Sequence, residues 1–187
     1  MRVPMKDLAG NTVLAGALNG RKALADLLHR AQTEPRHPEP LFLDFQGVEV
    51  ATASFLREAV LGFRDAVRRA RSKFYSVVAN ASPLVTEELQ ALVAARGDVL
   101  LLCTLKDDVP SRPRLVGDLD PKQKFTFDLV RKRGETDAAE LMRQYGESEG
   151  VKQTAWNNRL SALASLGLVV ETSQGRAKRY RPLFVEQ

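Results

Sequence analysis

The stretch DFQGVEVATASFLREAV, residues 44–60, decides the fold of the first half of the chain. An apolar run, LFLDF (41–45), leads into it and is typical of a strand that is covered on both faces. The chain then turns at Gly47, passes small and hydroxyl residues, and enters a segment with an apolar stripe at helical spacing. The sequence therefore predicts a buried strand, a turn and a helix over 54–72.

The same alternation continues on both sides of this stretch. The further predicted elements are a helix over 20–32, strands over 73–79 and 99–105, and a helix over 82–97 between those strands. Ser82 is a suitable N-cap for that last helix, Pro83 suits its first position, and Gly97 suits its end. Strands and helices that alternate with short connections predict an α/β domain with a parallel or mixed sheet.

The segment DDVPSRPRLVGD, residues 107–118, interrupts the pattern. It has two prolines, mixed charge and no hydrophobic periodicity, which is typical of a linker. We therefore predict one domain over 1–106 and a smaller domain over 119–187.

The smaller domain has a different order of elements. Three helices are predicted in PKQKFTFDLVRKRG, TDAAELMRQYG and VKQTAWNNRLSALASLG, followed by two short strands around a turn at 173–175. Three helices and a hairpin form the element order of a winged helix-turn-helix domain.

The composition excludes several classes of protein. The 187 residues are 44% hydrophobic and 27% charged, with a net charge of +5, which is a globular balance that permits contact with a polyanion. The single cysteine, Cys103, excludes an internal disulfide and suits a reducing cytoplasm. No apolar run approaches the roughly 20 residues of a membrane span, and the early run TVLAGAL is too short and interrupted for a signal peptide. We expect a cytoplasmic protein.

The first domain resembles the STAS-like domains, which are relatives of the anti-sigma factor antagonists. The resemblance rests on the string D-F-x-G-V-x-x-A-T-x-S-F-L within 44–56 and on the later strands. In the antagonists a D-S-S-G turn opens the following helix, and its first serine is phosphorylated. The alignment places Thr52 at the Asp, Ala53 at that serine, Ser54 at the second serine and Phe55 at the Gly. Because alanine stands at the phosphate position, this sequence departs from the usual phosphorylation switch.

Three interpretations of the Thr52 and Ser54 hydroxyls are open. In the first interpretation, Thr52 or Ser54 caps the helix and contributes ~1 kcal/mol to its stability. Both are also candidates for a phosphate switch at the positive helix end. A catalytic nucleophile would need a general base, and neither histidine, His29 or His37, lies in a recognisable triad context.

No other part of the sequence indicates catalysis. It has no Cys/His cluster with zinc spacing and no glycine-rich phosphate loop. We expect a protein that is not an enzyme and needs neither a cofactor nor a metal.

The second domain is similar to bacterial winged helix regulators over residues 136–183. Those proteins share a helix of the form x-x-T-x-x-x-x-L-x-x-L-x-x-x-G-L-V. The matching positions here are Thr154, Leu160, Leu163, Gly167, Leu168 and Val169.

The residues themselves indicate which face of this helix contacts DNA. Trp156 shares one stripe with the leucines and is expected in the core. The opposite face carries Thr154, Asn157 and Asn158, with Lys152 and Arg159 at its flanks. Asn pairs with the edge of adenine, and Lys or Arg pairs with guanine or phosphate. The alternative is an ordinary polar helix face.

The predicted hairpin adds cations: Arg176, Lys178 and Arg179 are candidates for contacts with phosphate or the minor groove. The alternative is charge that protects an edge strand from pairing.

Together these patterns predict a bacterial transcription regulator. A STAS-like domain senses or binds a partner, and a winged helix binds double-stranded DNA, as a homodimer at two half-sites. The alternative is an interaction adaptor that does not bind DNA. In that case the STAS-like domain docks a histidine-kinase-like ATPase, a partner that the resemblance implies.

Overall fold

The structure is a computed structural model that describes residues 1–175 and 177–184. The chain divides into two compact units, Met1–Asp118 and a second unit that begins at Leu119. Within the described residues, no helix is both long enough and apolar enough to cross a membrane.

The first unit is a mixed α/β fold with a mainly parallel sheet. Its elements are β1 (Arg2–Pro4), α1 (Met5–Ala9), β2 (Val13–Leu14), α2 (Ala17–Arg30), β3 (Glu39–Asp44), β4 (Val50–Ala51), α3 (Ala53–Leu56), a π-helical turn (Arg57–Leu61), α4 (Gly62–Arg69), β5 (Phe74–Ala79), α5 (Pro83–Ala94), β6 (Val99–Lys106) and β7 (Val109–Gly117). The sheet order is β1-β3-β5-β6-β7, parallel except for β7, and β2 and β4 form a separate short parallel ladder. The predicted parallel or mixed α/β sheet is confirmed.

The predicted linker over 107–118 is wrong. Residues Val109–Gly117 form strand β7, which pairs antiparallel with β6 and extends the first unit to Asp118. Val116 is buried in the core opposite Leu100. Proline is typical of loops, but an edge strand tolerates it because the outer N–H groups of that strand need no partner.

The core lies between the sheet and the helices. Alternate residues of the central strands, such as Leu41, Leu43 and Leu102, join Phe55 and Phe63 in one buried cluster. The helix that begins within the stretch 44–60 is continuous from α3 to α4. Its π-helical turn buries three consecutive residues, Ala59–Leu61. A π-helical turn shifts which residues face inward, so a strict helical stripe could not predict this packing.

Helix α2 approaches this long helix very closely at Gly20. A Cβ atom at Gly20 would lie 2.8 Å from the carbonyl oxygen of Phe55 and 2.9 Å from Cβ of Glu58. No side chain fits there, so glycine sets the separation of the two helices.

The basic run at 64–73 is partly internal. Arg64 is buried and bonds Asp98 through both Nη atoms, at 2.8 and 2.5 Å, and also bonds Asp65. Arg68 donates to the carbonyl of Ser72 at 2.6 Å and lies over the Tyr75 ring. These two arginines stabilise the unit rather than forming a solvated basic surface.

The second unit has the predicted order of three helices and a hairpin. Its elements are α6 (Pro121–Arg133), α7 (Ala138–Glu149), α8 (Gln153–Ser165), β8 (Val169–Gln174) and β9 (Ala177–Pro182). Asp120 caps α6, and Asp137 with Glu140 forms a capping box at the start of α7. Trp156, Leu160 and Leu163 of α8 are fully buried, as predicted for the inward stripe.

A short backbone bridge ties the hairpin to the start of α7. The N–H of Thr136 donates to the carbonyl of Tyr180 at 2.9 Å, and the N–H of Tyr180 donates back at 2.8 Å. The Tyr180 hydroxyl lies 3.2 Å from Ser161 Oγ on α8. Strand β9 is therefore joined to α7 and α8 at one residue.

Candidate functional site

The hydroxyl pair of the opening stretch forms a helix cap. Thr52 Oγ1 accepts from the N–H of Phe55 at 3.4 Å and from the N–H of Gly16 at 3.2 Å. Ser54 Oγ lies 3.1 Å from Thr52 Oγ1 and makes no cap bond of its own. Of the two hydroxyls considered for the cap, Thr52 holds that position.

This geometry satisfies both hydroxyls locally. Thr52 and Ser54 are half-buried and bonded to each other, whereas Ala53, at the aligned phosphate position, is exposed. Each hydroxyl therefore has a hydrogen-bond partner within the first turn of the helix.

The exposed face of α8 carries most of the predicted recognition residues. Thr154, Asn157 and Asn158 are exposed, and so is Lys152, which precedes the first residue of the helix. These side chains form no described hydrogen bond or ion pair within the second unit. Because asparagine is a weak helix former, the local structure gives no reason for two of them in succession.

Arg159, the fifth predicted residue of this helix, is placed differently. Its guanidinium lies 4.9 Å from the centre of the Trp156 ring, and its buried Nη1 atom has no hydrogen-bond partner among the described residues. Arg159 is half-buried and covers the core tryptophan. It is therefore not presented on the same face as Asn157 and Asn158.

The hairpin cations also differ from one another. Lys178 is half-exposed, and its Nζ lies 2.8 Å from the Glu171 carboxylate on the paired strand. Arg179 points to the start of α7, where it contacts three carboxylates. Arg176 lies outside the described residues.

The carboxylates around Arg179 belong to Glu135, Asp137 and Glu140. Arg179 Nη1 lies 2.8 Å from Glu140 Oε1 and 3.0 Å from Asp137 Oδ2, and Nη2 lies 3.3 Å from Glu135 Oε2. The hydrogen bond from Arg179 lowers the pKa of Glu140, and the bond from Thr136 Oγ1 adds to this. In return the three carboxylates, Glu140 foremost, raise the pKa of the Arg179 guanidinium. Arg179, a predicted DNA contact, thus forms ion pairs with carboxylates of its own unit.

A cleft of about 430 Å³ lies where α7, α8 and β9 meet. It is lined by the first residues of α7, by Gln153, Asn157 and Ser161 on one face of α8, and by Ala177 and Lys178 of β9. The small side chains at Ala138, Ala139 and Ala177 keep the cleft open. Asn157 and Lys178 therefore line the same cleft, which local sequence patterns do not predict.

Two polar residues of the cleft were missed by sequence reasoning. Gln153 and Ser161 lie four residues before and after Asn157, so helical spacing alone placed them on one face. This spacing is the sequence signal that identifies them. The carboxylate partners of Arg179, by contrast, come from a region about 40 residues earlier in the chain and left no local signal.

Comparison with known proteins adds no assignment to this geometry. No protein-family model matches the chain, and no curated protein matches it.

Proposed function

We propose that this protein is a DNA-binding transcription regulator, with a STAS-like domain in the first unit and a winged helix-turn-helix domain in the second. In this proposal α8 is the recognition helix and the β8–β9 hairpin is the wing. The STAS-like domain senses or binds a partner, and the protein acts in the cytoplasm as a homodimer.

The observation that carries the proposal is the cleft between α8 and the hairpin. Helix α8 offers the amides of Gln153 and Asn157, and β9 offers the ammonium of Lys178, while the start of α7 adds the Asp137 carboxylate. Amide side chains can donate and accept at the edge of an adenine, and a lysine can meet a phosphate. A groove that combines the two chemistries suits a nucleic acid, which presents base edges and phosphates side by side.

The exposed residues outside the cleft extend this surface. Thr154 and Asn158 lie on the outward side of α8, and Lys152 stands at its start. In helix-turn-helix proteins the amino-terminal residues of the recognition helix contact the bases. We infer that Asn157 and Asn158 read sequence, whereas Lys152 and Lys178 contact the backbone.

The ion pair between Lys178 and Glu171 does not oppose this role. Lys178 is half-exposed although Glu171 is partly buried, so solvent screens the pair, and a screened pair contributes only about 0–1 kcal/mol. A phosphate can therefore compete for the lysine.

The test is fluorescence anisotropy of the full chain with labelled duplexes over a salt series. One duplex is selected from a random pool by the wild-type protein, and the other is a scrambled version of it. Binding that weakens steeply with salt supports DNA as the partner, because each phosphate contact releases counterions. If the wild type enriches no sequence from the pool and binds no random duplex at low salt, the DNA proposal fails and the adaptor with a histidine-kinase-like ATPase replaces it.

Two substitutions test the proposed phosphate contact and the proposed base contact separately. Lys178→Ala should weaken binding to both duplexes alike and reduce the salt slope by about one unit. Asn158→Ala should cost ~1–3 kcal/mol on the selected duplex and much less on the scrambled one. Lys124→Ala is the matched control, because Lys124 is also exposed and paired with an acid, Asp128 at 2.9 Å, but it does not line the cleft.

A further inference from the structure

We propose that Arg179 is a positioning residue that clamps the β8–β9 hairpin to the first turn of α7, and that it does not itself contact DNA. This assigns Arg179 a role different from that of its neighbour Lys178. The role in DNA binding rests on the proposed function, whereas the clamp can be tested without DNA.

The contacts of Arg179 converge on one short segment. Its three carboxylate partners, Glu135, Asp137 and Glu140, lie within six residues at the start of α7, at 2.8–3.3 Å. Both Nη atoms are used, and the remaining Nε atom is buried. The guanidinium is therefore directed into its own unit by all of its described contacts.

The backbone next to Arg179 supports the same attachment. Tyr180 pairs with Thr136 through two hydrogen bonds, and its ring is fully buried. The Tyr180 pairing and the Arg179 ion pairs thus join the same two segments, one through the backbone and one through side chains. Lys178, which lines the cleft, is the next residue along the strand.

The charge of the cluster is the second argument against a direct contact between Arg179 and DNA. The cluster holds three carboxylates and two guanidiniums, since Arg133 also lies 3.8 Å from Glu140, so it offers no excess positive charge to a phosphate. A phosphate approaching Arg179 would also meet the carboxylates that hold it. A direct DNA contact at Arg179 is therefore disfavoured.

The alternative roles predict opposite effects for Glu140→Gln. If Arg179 contacted DNA, removing a nearby negative charge would release it and strengthen binding. If Arg179 is a clamp, the same substitution loosens the hairpin and weakens binding. Glutamine can still accept the capping hydrogen bond, so α7 keeps its start.

The first arm of the test is amide hydrogen exchange on the full chain without DNA. Arg179→Ala and Glu140→Gln should accelerate exchange in β8–β9, including the Tyr180 amide, by about tenfold or more, while α6 stays protected. Arg179→Lys should restore protection only in part, since one ammonium cannot reproduce the planar set of contacts. Glu147→Gln is the matched control, because Glu147 is an exposed carboxylate farther along the same helix.

The second arm is anisotropy on a mixed-sequence duplex over a salt series. The clamp predicts weaker binding for Arg179→Ala and Glu140→Gln with an unchanged salt slope. A slope reduced by about one unit in Arg179→Ala, together with tighter binding by Glu140→Gln, would overturn the clamp in favour of a direct contact. Unchanged exchange in β8–β9 would also overturn it. Failure of the wild type to bind any duplex would refute the proposed function alone, because the exchange arm still decides the clamp.

Discussion

Thr52 Oγ1 lies 3.1 Å from Ser54 Oγ, but only Thr52 caps the helix that follows. Its oxygen accepts backbone N–H groups from Phe55 and from Gly16, which precedes α2. One hydroxyl thus stabilises the starts of two helices, whereas its neighbour interacts mainly with that hydroxyl.

We expect Thr52→Val to lower the free energy of unfolding by about 1–2 kcal/mol, because valine keeps the shape but accepts no hydrogen bond. Ser54→Ala should cost about 0.5 kcal/mol or less. Urea denaturation of each variant measures the difference. Thr104→Val is the control, because Thr104 is exposed and its side chain makes no hydrogen bond within the described part of the chain. A larger loss for Ser54→Ala than for Thr52→Val would contradict the assignment of the cap.

A second prediction concerns Asn80, which joins three segments at the carboxyl end of the sheet. Its amide donates to Asp44 at 2.8 Å and to the Leu105 carbonyl at 3.0 Å, and its oxygen accepts from the Leu105 N–H at 2.9 Å. Asn80→Ala should cost about 2–3 kcal/mol, because buried polar groups lose their partners.

The loss of stability in Asn80→Ala has two parts, the lost side-chain hydrogen bonds and the strain of the backbone conformation. The φ angle of Asn80 is 54°, a left-handed conformation that alanine disfavours and glycine allows. Asn80→Gly should therefore be less destabilised than Asn80→Ala in the same urea experiment. Equal losses would show that the side-chain bonds account for the whole effect.

A third prediction concerns acid stability. Burial alone would raise the pKa of Asp98, but the hydrogen bonds from Arg64 and from the Val99 N–H outweigh it and lower that pKa. A carboxyl whose folded pKa is lowered stabilises the fold above its ordinary pKa and loses this contribution as the pH falls through the folded value. The wild type should therefore lose stability below about pH 4.

Asp98→Asn removes this titration. The variant should be less stable at neutral pH and should lose less stability between about pH 4 and pH 2. Thermal unfolding followed by circular dichroism across that range measures both effects. Parallel pH profiles for the two proteins would show that Asp98 does not contribute to the acid transition.

A fourth prediction concerns Cys103, a free and buried thiol. Burial, together with the nearby charge of Asp44, raises the pKa of Cys103 to about 12. Because the thiolate is the reactive form, the folded protein should resist iodoacetamide at about pH 8 and react fully in denaturant. Ser148→Cys in a Cys103→Ala background is the exposed control and should react at once. Rapid labelling of native Cys103 would contradict its burial.

A fifth prediction concerns the boundary between the units. Limited proteolysis should cut at 118–120, which carry no regular structure, and spare 109–117, which are paired with β6. Mass spectrometry of the fragments locates the cut. Early cleavage within 109–117 would contradict strand β7.

The elements that sequence reasoning predicted well are those whose signal is local. Ser82 caps α5 and Pro83 begins it, as the residue types indicated, because a cap depends on neighbours within one turn. Trp156 was placed in the core by helical spacing alone, because the position of a side chain around a helix depends only on its place in the sequence.

The features that local patterns do not predict have a different cause. The prolines and charges of residues 109–117 are typical of a linker but are tolerated at a sheet edge, and only pairing with β6 makes the segment a strand. The charge of Arg179 is visible in the sequence, whereas its carboxylate partners lie about 40 residues earlier and are not.

The sequence by itself determined the main strands and helices from α2 to β6, the order of elements in the second unit, and the polar face of α8. These follow from periodicity and capping, which act over a few residues. Only the tertiary structure decided that Lys178 lines a cleft with Asn157 while Arg179, the next residue, is held by Glu135, Asp137 and Glu140. Successive residues of a strand point to opposite faces, so the environment of each depends on which distant segments the fold places against that face.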